Sequence, residues 1–362
     1  MPTLGPGKLL TGRRPGWPSL DDILQGSHEL PRWIGWRLRA LVSTVLVACA
    51  LLFLVAHWLS TQPHLPFNLR ATPEGQVKIH EADYPPLVHL EGRILDGLRL
   101  DRPVESGVQS LYAPIELLTL QRSERWLIDP DLRQRHLQLR QRMNELLAQA
   151  GSSNPTLNMD LLHAPDEPVS IGPIGWSRLS PLFWLLSLLA LAVFGVGIVV
   201  LLAEPQWRNM AFAALAMSQA GQLLFMAIEA NLDVFAPLWF VKLDAQLRLA
   251  FDLISAAALV QIAVLHPHRL SGWGWYAGLG WLSALGLWLG TNQLDSAFNW
   301  WLVQAGCIGL SIATASLLTA SFHTNPHPFT LVMRRLVVVA LLTWGLLSLA
   351  IWRGSVRADM QL

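Results

Sequence analysis

Ionisable and amide side chains inside otherwise apolar stretches are the residues of this chain that could do chemistry. Glu229, Arg248 and Asp252 lie in two such stretches, and Arg248 precedes Asp252 by four residues. A polar residue at bilayer depth costs about a few kcal/mol, so each needs a partner or a function. Two interpretations are open: a local Arg248–Asp252 pair among polar contacts that join helices, or an outward-opening polar pocket in which a signal is read. Four amides add donors and acceptors to the same stretches: Gln219, Gln222, Gln261 and Gln304.

The sequence lacks the common catalytic and cofactor motifs. It has no phosphate-cradling G-x-x-x-x-G-K loop, no H-E-x-x-H zinc pair and no G-x-S-x-G nucleophile elbow. The histidines lie near the ends of the apolar stretches, whereas an intramembrane haem needs histidines that face each other inside a bundle. Four of the histidines could together bind a metal, but they can equally be ordinary interfacial residues of proline-containing loops. They are His266, His268, His323 and His327. We therefore predict no catalytic residue, no metal site and no cofactor in this chain.

Seven apolar windows must position the polar residues. Charged residues make up 14% of the chain and hydrophobic residues 52%, which favours a membrane protein over a soluble one. A spanning helix needs about 20 mostly apolar residues. Stretches of that kind occupy roughly 38–59, 180–203, 211–230, 247–265, 274–290, 298–320 and 335–352. With a net charge of +1 and no run of basic residues, nucleic acid is not an expected partner; the lipid bilayer is.

Basic residues set the expected topology. Five of them precede the first window and Arg39 lies at its start, so residues 1–37 are predicted to be cytoplasmic and 38–59 to be an anchor helix. Residues 60–178 then form an extracytoplasmic domain, and 179–352 a bundle of six further helices. Seven spans leave Arg353 and Arg357 outside, against the positive-inside rule. We therefore expect residues 353–362 to be a loop that leads to a further helix.

The extracytoplasmic segment is predicted to be a small α+β domain. Short alternating patterns at 76–80, 87–95 and 115–120 indicate strands. Residues 130–150 have apolar positions at helical spacing, begin after Asp129 and end before Gly151, which predicts an amphipathic helix. Both cysteines, Cys49 and Cys307, fall in apolar windows, so this domain folds without a disulfide.

Three segments give the chain a resemblance to a known class of receptor. They are SPLFWLLSLLALAVFGVGIVVLL (Ser180–Leu202), LAFDLISAAALVQIAVLHPHRL (Leu249–Leu270) and NPHPFTLVMRRL (Asn325–Leu336). With the order of anchor, external domain and several spans, the chain resembles the N-terminal sensory region of proteobacterial sensor histidine kinases that carry a seven-transmembrane receptor-like module.

That resemblance implies a location in the bacterial inner membrane, a cytoplasmic N-terminus and a homodimer. It also implies ATP and a response regulator as partners of a kinase part outside these residues. The sequence itself contains no phospho-acceptor box of the H-E-[apolar]-[basic]-x-P kind, so no catalytic residue is carried over.

Two other classes of function stay open. In a transporter or channel, Gln219, Gln222, Asp252 and Gln304 would line a polar path, and internal repeats with helices broken at the midplane would be expected. An intramembrane enzyme would need a nucleophile paired with a base, which the sequence does not indicate.

Overall fold

The computed structural model describes residues 32–82, 85–104, 107–122, 127, 129–151, 155–266, 269–293, 298–324 and 328–359. Its helices are α1 (Arg32–Ser60), α2 (Leu117–Leu120), α3 (Pro130–Ala150), α4 (Pro181–Ala203), α5 (Trp207–Glu229), α6 (Leu238–Leu265), α7 (Trp273–Gln293), α8 (Phe298–Thr324) and α9 (Pro328–Asp359). The architecture is a mainly α-helical bundle with one small domain that contains strands. The predicted fold class is confirmed.

Six of the described helices are long and apolar enough to cross a membrane: α1, α4, α5, α6, α8 and α9. The remaining window at 274–290 does form a helix, α7, with no charged residue. Its tryptophan, tyrosine and glycine residues give it a lower hydropathy than the other six, so it does not count among them. The structure therefore supports six candidate spans where the sequence predicted seven.

Helix α6 is the centre of the bundle. It packs against α5, α7 and α8, while α4 packs on α5 and α9 on α8. About 67% of its most apolar window is buried, against none of that of the anchor α1. The outer helices leave large side chains such as Leu185 and Leu346 more than 60% exposed. Such extensive apolar surface is stable against lipid and not against water, which makes this a multi-pass membrane protein.

Residues 61–178 form a domain, here called the α/β domain, at one end of the bundle. Its strands are β1 (Pro63–His64), β2 (Phe67–Ala71), β3 (Val77–Ala82), β4 (Leu95–Val104), β5 (Gly107–Pro114), β6 (Thr156–Leu161), β7 (Glu167–Ser170) and β8 (Gly172–Pro173). The largest sheet is antiparallel with the order β5-β4-β6-β7. Leu98 of β4 lies opposite Met159 of β6, and Leu157 of β6 lies opposite Val169 of β7. Smaller pairs are the β2–β3 hairpin and the β1–β8 pair, which joins the two chain segments that connect to α1 and α4.

Helix α3 covers this domain and has the ends that the sequence predicted. The Asp129 side chain accepts a hydrogen bond from the Asp131 backbone N–H, and Pro130 occupies the first turn. Gly151 ends the helix with φ of 65°, a left-handed conformation that glycine adopts without steric cost. Met143 and Leu146 are fully buried against the sheet. The prediction of this helix is confirmed.

Three predictions of local structure are wrong. Residues 85–90 form a 3-10 turn and the strand begins only at Leu95, because Pro85 and Pro86 fix a turn conformation. Residues 117–120 are helical, since Glu116 and Thr119 form a reciprocal capping box. Residues 353–359, expected to be a loop, continue helix α9, since no proline or cap ends it. Residues 1–31 and 360–362 lie outside the described residues.

Candidate functional site

Arg248 is the centre of the polar residues inside the bundle. Its guanidinium is 2% exposed and lies 2.5 Å from a carboxylate oxygen of Glu229 at the end of α5. On its own helix it lies 2.7 Å from Asp244, one turn earlier. The structure thus places Arg248 with Glu229, as the proposed cluster requires, and adds Asp244 as a partner. A charge at this depth is stable only when paired in this way.

Asp252 continues the same row of polar contacts one turn further along α6. It accepts a hydrogen bond of 2.8 Å from the Gln222 amide, which also donates to the Arg248 carbonyl at 2.9 Å. Gln222 therefore connects α5 to two consecutive turns of α6. Glu229 and Gln222 come from α5, Asp244, Arg248 and Asp252 from α6, so the row joins these two helices along their length.

The row ends in a small hydroxyl and amide group. Ser255 shares a hydrogen bond of 2.8 Å with Ser218 and accepts another of 2.8 Å from Gln219. The two remaining amides lie outside this row. Gln261 of α6 accepts from the Trp281 indole of α7 at 2.6 Å and donates to the Trp207 carbonyl at the start of α5 at 2.9 Å. Gln304 of α8 accepts from the Trp344 indole of α9 at 2.5 Å.

The loop between α5 and α6 reaches out of the bundle into the α/β domain. Val234 and Phe235 are each 2% exposed and belong to the hydrophobic core formed by the strands and α3. We call residues 230–237 the docking loop. The core of the α/β domain is therefore completed by side chains that lie directly between two membrane helices. The two parts of the protein share one packed interior at this point.

Arg140 of α3 fixes the docking loop from the domain side. The side chain is 1% exposed and donates to the Asp233 carbonyl at 2.7 Å and to the Gln121 carbonyl at 2.8 Å. Burial lowers the pKa of its guanidinium to about 10, while the charge of Asp233 opposes the shift. The group therefore stays charged at neutral pH. One turn later, Asn144 donates to the Ala236 carbonyl at 3.2 Å.

His136, one turn before Arg140, is buried in its neutral form. Its Nδ1 donates to the Leu118 carbonyl at 2.9 Å, and among the described residues Nε2 has no hydrogen-bond partner. Burial, followed by the positive charge of Arg140, lowers the pKa of this imidazole to about 4. Protonation below that pH would add a second positive charge beside Arg140 under the docking loop.

Sequence reasoning missed the docking loop and its partners. The sequence analysis predicted residues 130–150 as an amphipathic helix without singling out Arg140, although its spacing places it on the buried face with His136, Met143 and Leu146. That spacing is the signal that could have identified it. Nothing local marks Val234 and Phe235, because a short apolar pair between two spans is ordinary in a membrane loop.

The described part of the chain contains no cluster of three or more His, Cys, Asp or Glu residues arranged to hold a metal ion. Of the four histidines considered for such a site, His268 and His327 lie outside the described residues. His266 ends α6, and His323 lies in the last turn of α8.

The fold and these sites define a class: a multi-pass membrane protein whose helix bundle is joined to an extramembrane α/β domain by a docking loop. No protein-family model matches the chain, and neither a curated protein nor a solved structure is significantly similar to it.

Proposed function

We propose that this chain is the sensory input region of a membrane receptor, of the kind implied by its resemblance to sensor histidine kinases. In this proposal the α/β domain lies outside the cytoplasm of a bacterial cell and the N-terminus inside it, as the basic residues before α1 indicate. A dimeric kinase part, with ATP and a response regulator as partners, would receive the signal.

The insertion of the docking loop into the α/β domain carries this proposal. Phe235 and Val234 are buried in the domain core, and they connect directly to α5 and α6. A rearrangement of the domain core must therefore displace the ends of these two helices. Packed interiors change between discrete arrangements instead of deforming gradually, which makes such a joint suitable for a two-state signal.

The polar row provides a path for the signal along the bundle. Glu229 is the last residue of α5, and its bond to Arg248 is the contact between α5 and α6 in the polar row that lies nearest to the docking loop. Gln222 and Ser255 repeat the α5–α6 connection on successive turns. A displacement of the loop would break or shift these directional bonds together. The alternative, a transport path, would use the same residues to bind a passing solute.

Fusing the complete chain to the kinase part of a receptor with a known reporter promoter tests the sensory function. Arg140→Met removes the bond to the Asp233 carbonyl of the docking loop and the bond to the Gln121 carbonyl of the α/β domain. Leaving a buried acceptor unsatisfied costs about 1–3 kcal/mol. If that cost differs between the two signalling states of the receptor, the ratio of their populations changes by about 5- to 150-fold. We therefore expect a several-fold change in basal reporter output.

The control for this experiment is Leu157→Ala in β6, a fully buried position within the domain's own sheet. It destabilises the domain without removing a bond to the docking loop. Equal reporter outputs for the two variants at equal loss of thermal stability would refute the proposal. Retained output together with solute uptake into proteoliposomes that depends on Gln222 would favour a transporter.

The kinase part is tested separately by the coding DNA that follows the Leu362 codon. The resemblance implies a further span, a helix with a phospho-acceptor histidine and an ATP-binding domain. A stop codon at that position would exclude a kinase on the same chain, and would leave the mechanical coupling to be explained by a separate output partner.

A further inference from the structure

A cavity of about 390 Å³ lies where the α/β domain, the segment before α4 and the docking loop meet. Each of the three contributes polar side chains to its wall. Those used in the argument below are His64, Arg122, Arg178, Ser180, Asn231 and Asp233.

The charges of this cavity favour an anion. Among the described residues that line it are two guanidinium groups, those of Arg122 and Arg178, and one carboxylate, that of Asp233. The carboxylate accepts from the backbone N–H groups of Val234 at 2.8 Å and Leu65 at 3.4 Å, and the His64 imidazole lies 3.5 Å from it. It therefore serves the local fold, and among these described lining residues there are two guanidinium groups for one carboxylate.

The guanidinium of Arg122 belongs to an exposed side chain. Among the described residues it donates to the Ala230 carbonyl at 3.3 Å, which uses one of its N–H groups. A guanidinium carries five N–H donors in a planar fork that matches carboxylate and phosphate oxygens two at a time. Arg122 could therefore bind an anion in the cavity and keep its own contact to the docking loop.

The position of the cavity selects phosphate among anions. Ser180, at its wall, is the N-cap of α4, whose 23 residues form the most apolar of the candidate spans. The Ser180 backbone N–H donates to the Asn231 side chain and its hydroxyl accepts from the Phe183 N–H, so this helix end contributes the positive potential of its dipole and not these donors. Trp176 nearby is 42% exposed and stacks near Phe53 and His57 of α1, as an aromatic residue at a membrane surface does. At such a surface the cavity would lie at the level of lipid phosphates and would also be open to soluble ones.

From this arrangement we infer that the cavity binds a phosphate group, either of a lipid headgroup or of a soluble ion, and that the bound group joins Arg122 of the α/β domain to Arg178 beside α4. This inference deepens the proposed function, because the occupied cavity lies against the docking loop. The binding itself does not require that the chain be a sensor.

Titration calorimetry of the full chain in maltoside micelles, which contain no phosphate, tests the inference. One arm titrates inorganic phosphate and the other a short-chain phosphatidylglycerol below its micelle concentration, both at constant ionic strength. We expect saturable binding of one equivalent in at least one arm. Binding only in the lipid arm identifies a headgroup site, and binding only of inorganic phosphate identifies a soluble anion.

Four variants assign the site. Arg122→Gln and Arg178→Gln should each raise Kd by about tenfold or more, because hydrogen bonds to charged groups contribute about 1.5–3 kcal/mol. Arg93→Gln, at an exposed arginine outside this cavity, should leave Kd unchanged. If a glutamine variant fails to fold, Arg122→Lys, which keeps the charge and loses the fork, should still weaken binding. Absence of saturable binding in both arms, or equal weakening by Arg93→Gln, overturns the inference.

These results separate the two proposals. If phosphate does not bind while Arg140→Met still changes reporter output, the anion site is wrong and the sensory function stands. If phosphate binds but the reporter does not respond to Arg140→Met, the site stands without the sensory function.

Discussion

Truncating Phe235 should destabilise the α/β domain, although this residue lies more than 50 positions beyond the domain in the chain. The side chain is 2% exposed and packs in the domain core. Phe→Ala substitutions in well-packed cores cost about 3–5 kcal/mol, the sum of lost transfer free energy and the cavity left behind. Phe235→Ala should lower the free energy of unfolding of the domain by that amount.

Amide hydrogen exchange of the full chain in nanodiscs measures this effect. The informative amides belong to β4 and β6, which pair in the middle of the sheet. With about 1.4 kcal/mol for each factor of ten, exchange through opening of the whole domain should accelerate by about 140- to 3,700-fold. Peptides from α8, which lies away from the loop in the bundle, should keep their exchange rates.

Leu243→Ala is the matched control, since Leu243 follows the docking loop in α6 but is 39% exposed. It should leave exchange in β4 and β6 unchanged. An acceleration below about threefold in Phe235→Ala would mean that the domain core is stable without the loop. The mechanical argument for the proposed function would then fail.

Three further predictions concern the bundle and the domain separately. Arg248→Met should destabilise the bundle by about 3–5 kcal/mol, because the buried carboxylate of Asp244 and the partly buried one of Glu229 lose their partner, as measured by the thermal melting of helicity; Lys242→Gln, at an exposed position of the same helix, should have little effect. Gly197→Ala should cost about 1–3 kcal/mol in the same assay, since the added Cβ would lie 2.8 Å from a facing alanine Cβ of α5, whereas Gly195→Ala meets nothing within 4 Å. Lowering the pH from 7 to 5 should destabilise the α/β domain by about 2 kcal/mol through His136, whose pKa falls from 6.5 to about 4 on folding, because the unfolded chain binds the proton first; His136→Gln should lose this part of the pH dependence.

Each of these has a result that contradicts it. Equal melting of Arg248→Met and the wild type would mean that the carboxylates find other partners or take up protons. Equal costs for the two glycine variants would show that α4 and α5 separate freely. An unchanged pH dependence in His136→Gln would place the titrating group elsewhere in the domain.

Local features of the sequence were sufficient for the existence of the helices and for several of their ends. Helix α3 was predicted with both caps, and the windows that end at 203 and 265 stop where α4 and α6 end, although α6 begins nine residues before its window. Such features depend on residues within one or two turns of each other. The strand predictions at 87–95 and 115–120 were wrong because an alternating apolar pattern also fits a 3-10 turn and a short capped helix.

The candidate site was predictable in part. Glu229, Arg248 and Asp252 could be selected because charges are costly at membrane depth, and Gln222 as one of four amides within the apolar stretches. The pairing itself was not predictable. Arg248 bonds to Glu229, 19 residues away on another helix, and the geometry of that contact depends on how α5 and α6 pack.

The sequence by itself determined a multi-pass membrane protein with one extramembrane α/β domain, because hydropathy, helical spacing and capping are properties of neighbouring residues. Only the tertiary structure decided that the two parts share a core. Arg140 meets the Asp233 carbonyl across 93 residues of chain, and Phe235 fills a core formed by strands that precede α4. Contacts over such distances are set by the packing of whole elements, which no local pattern records.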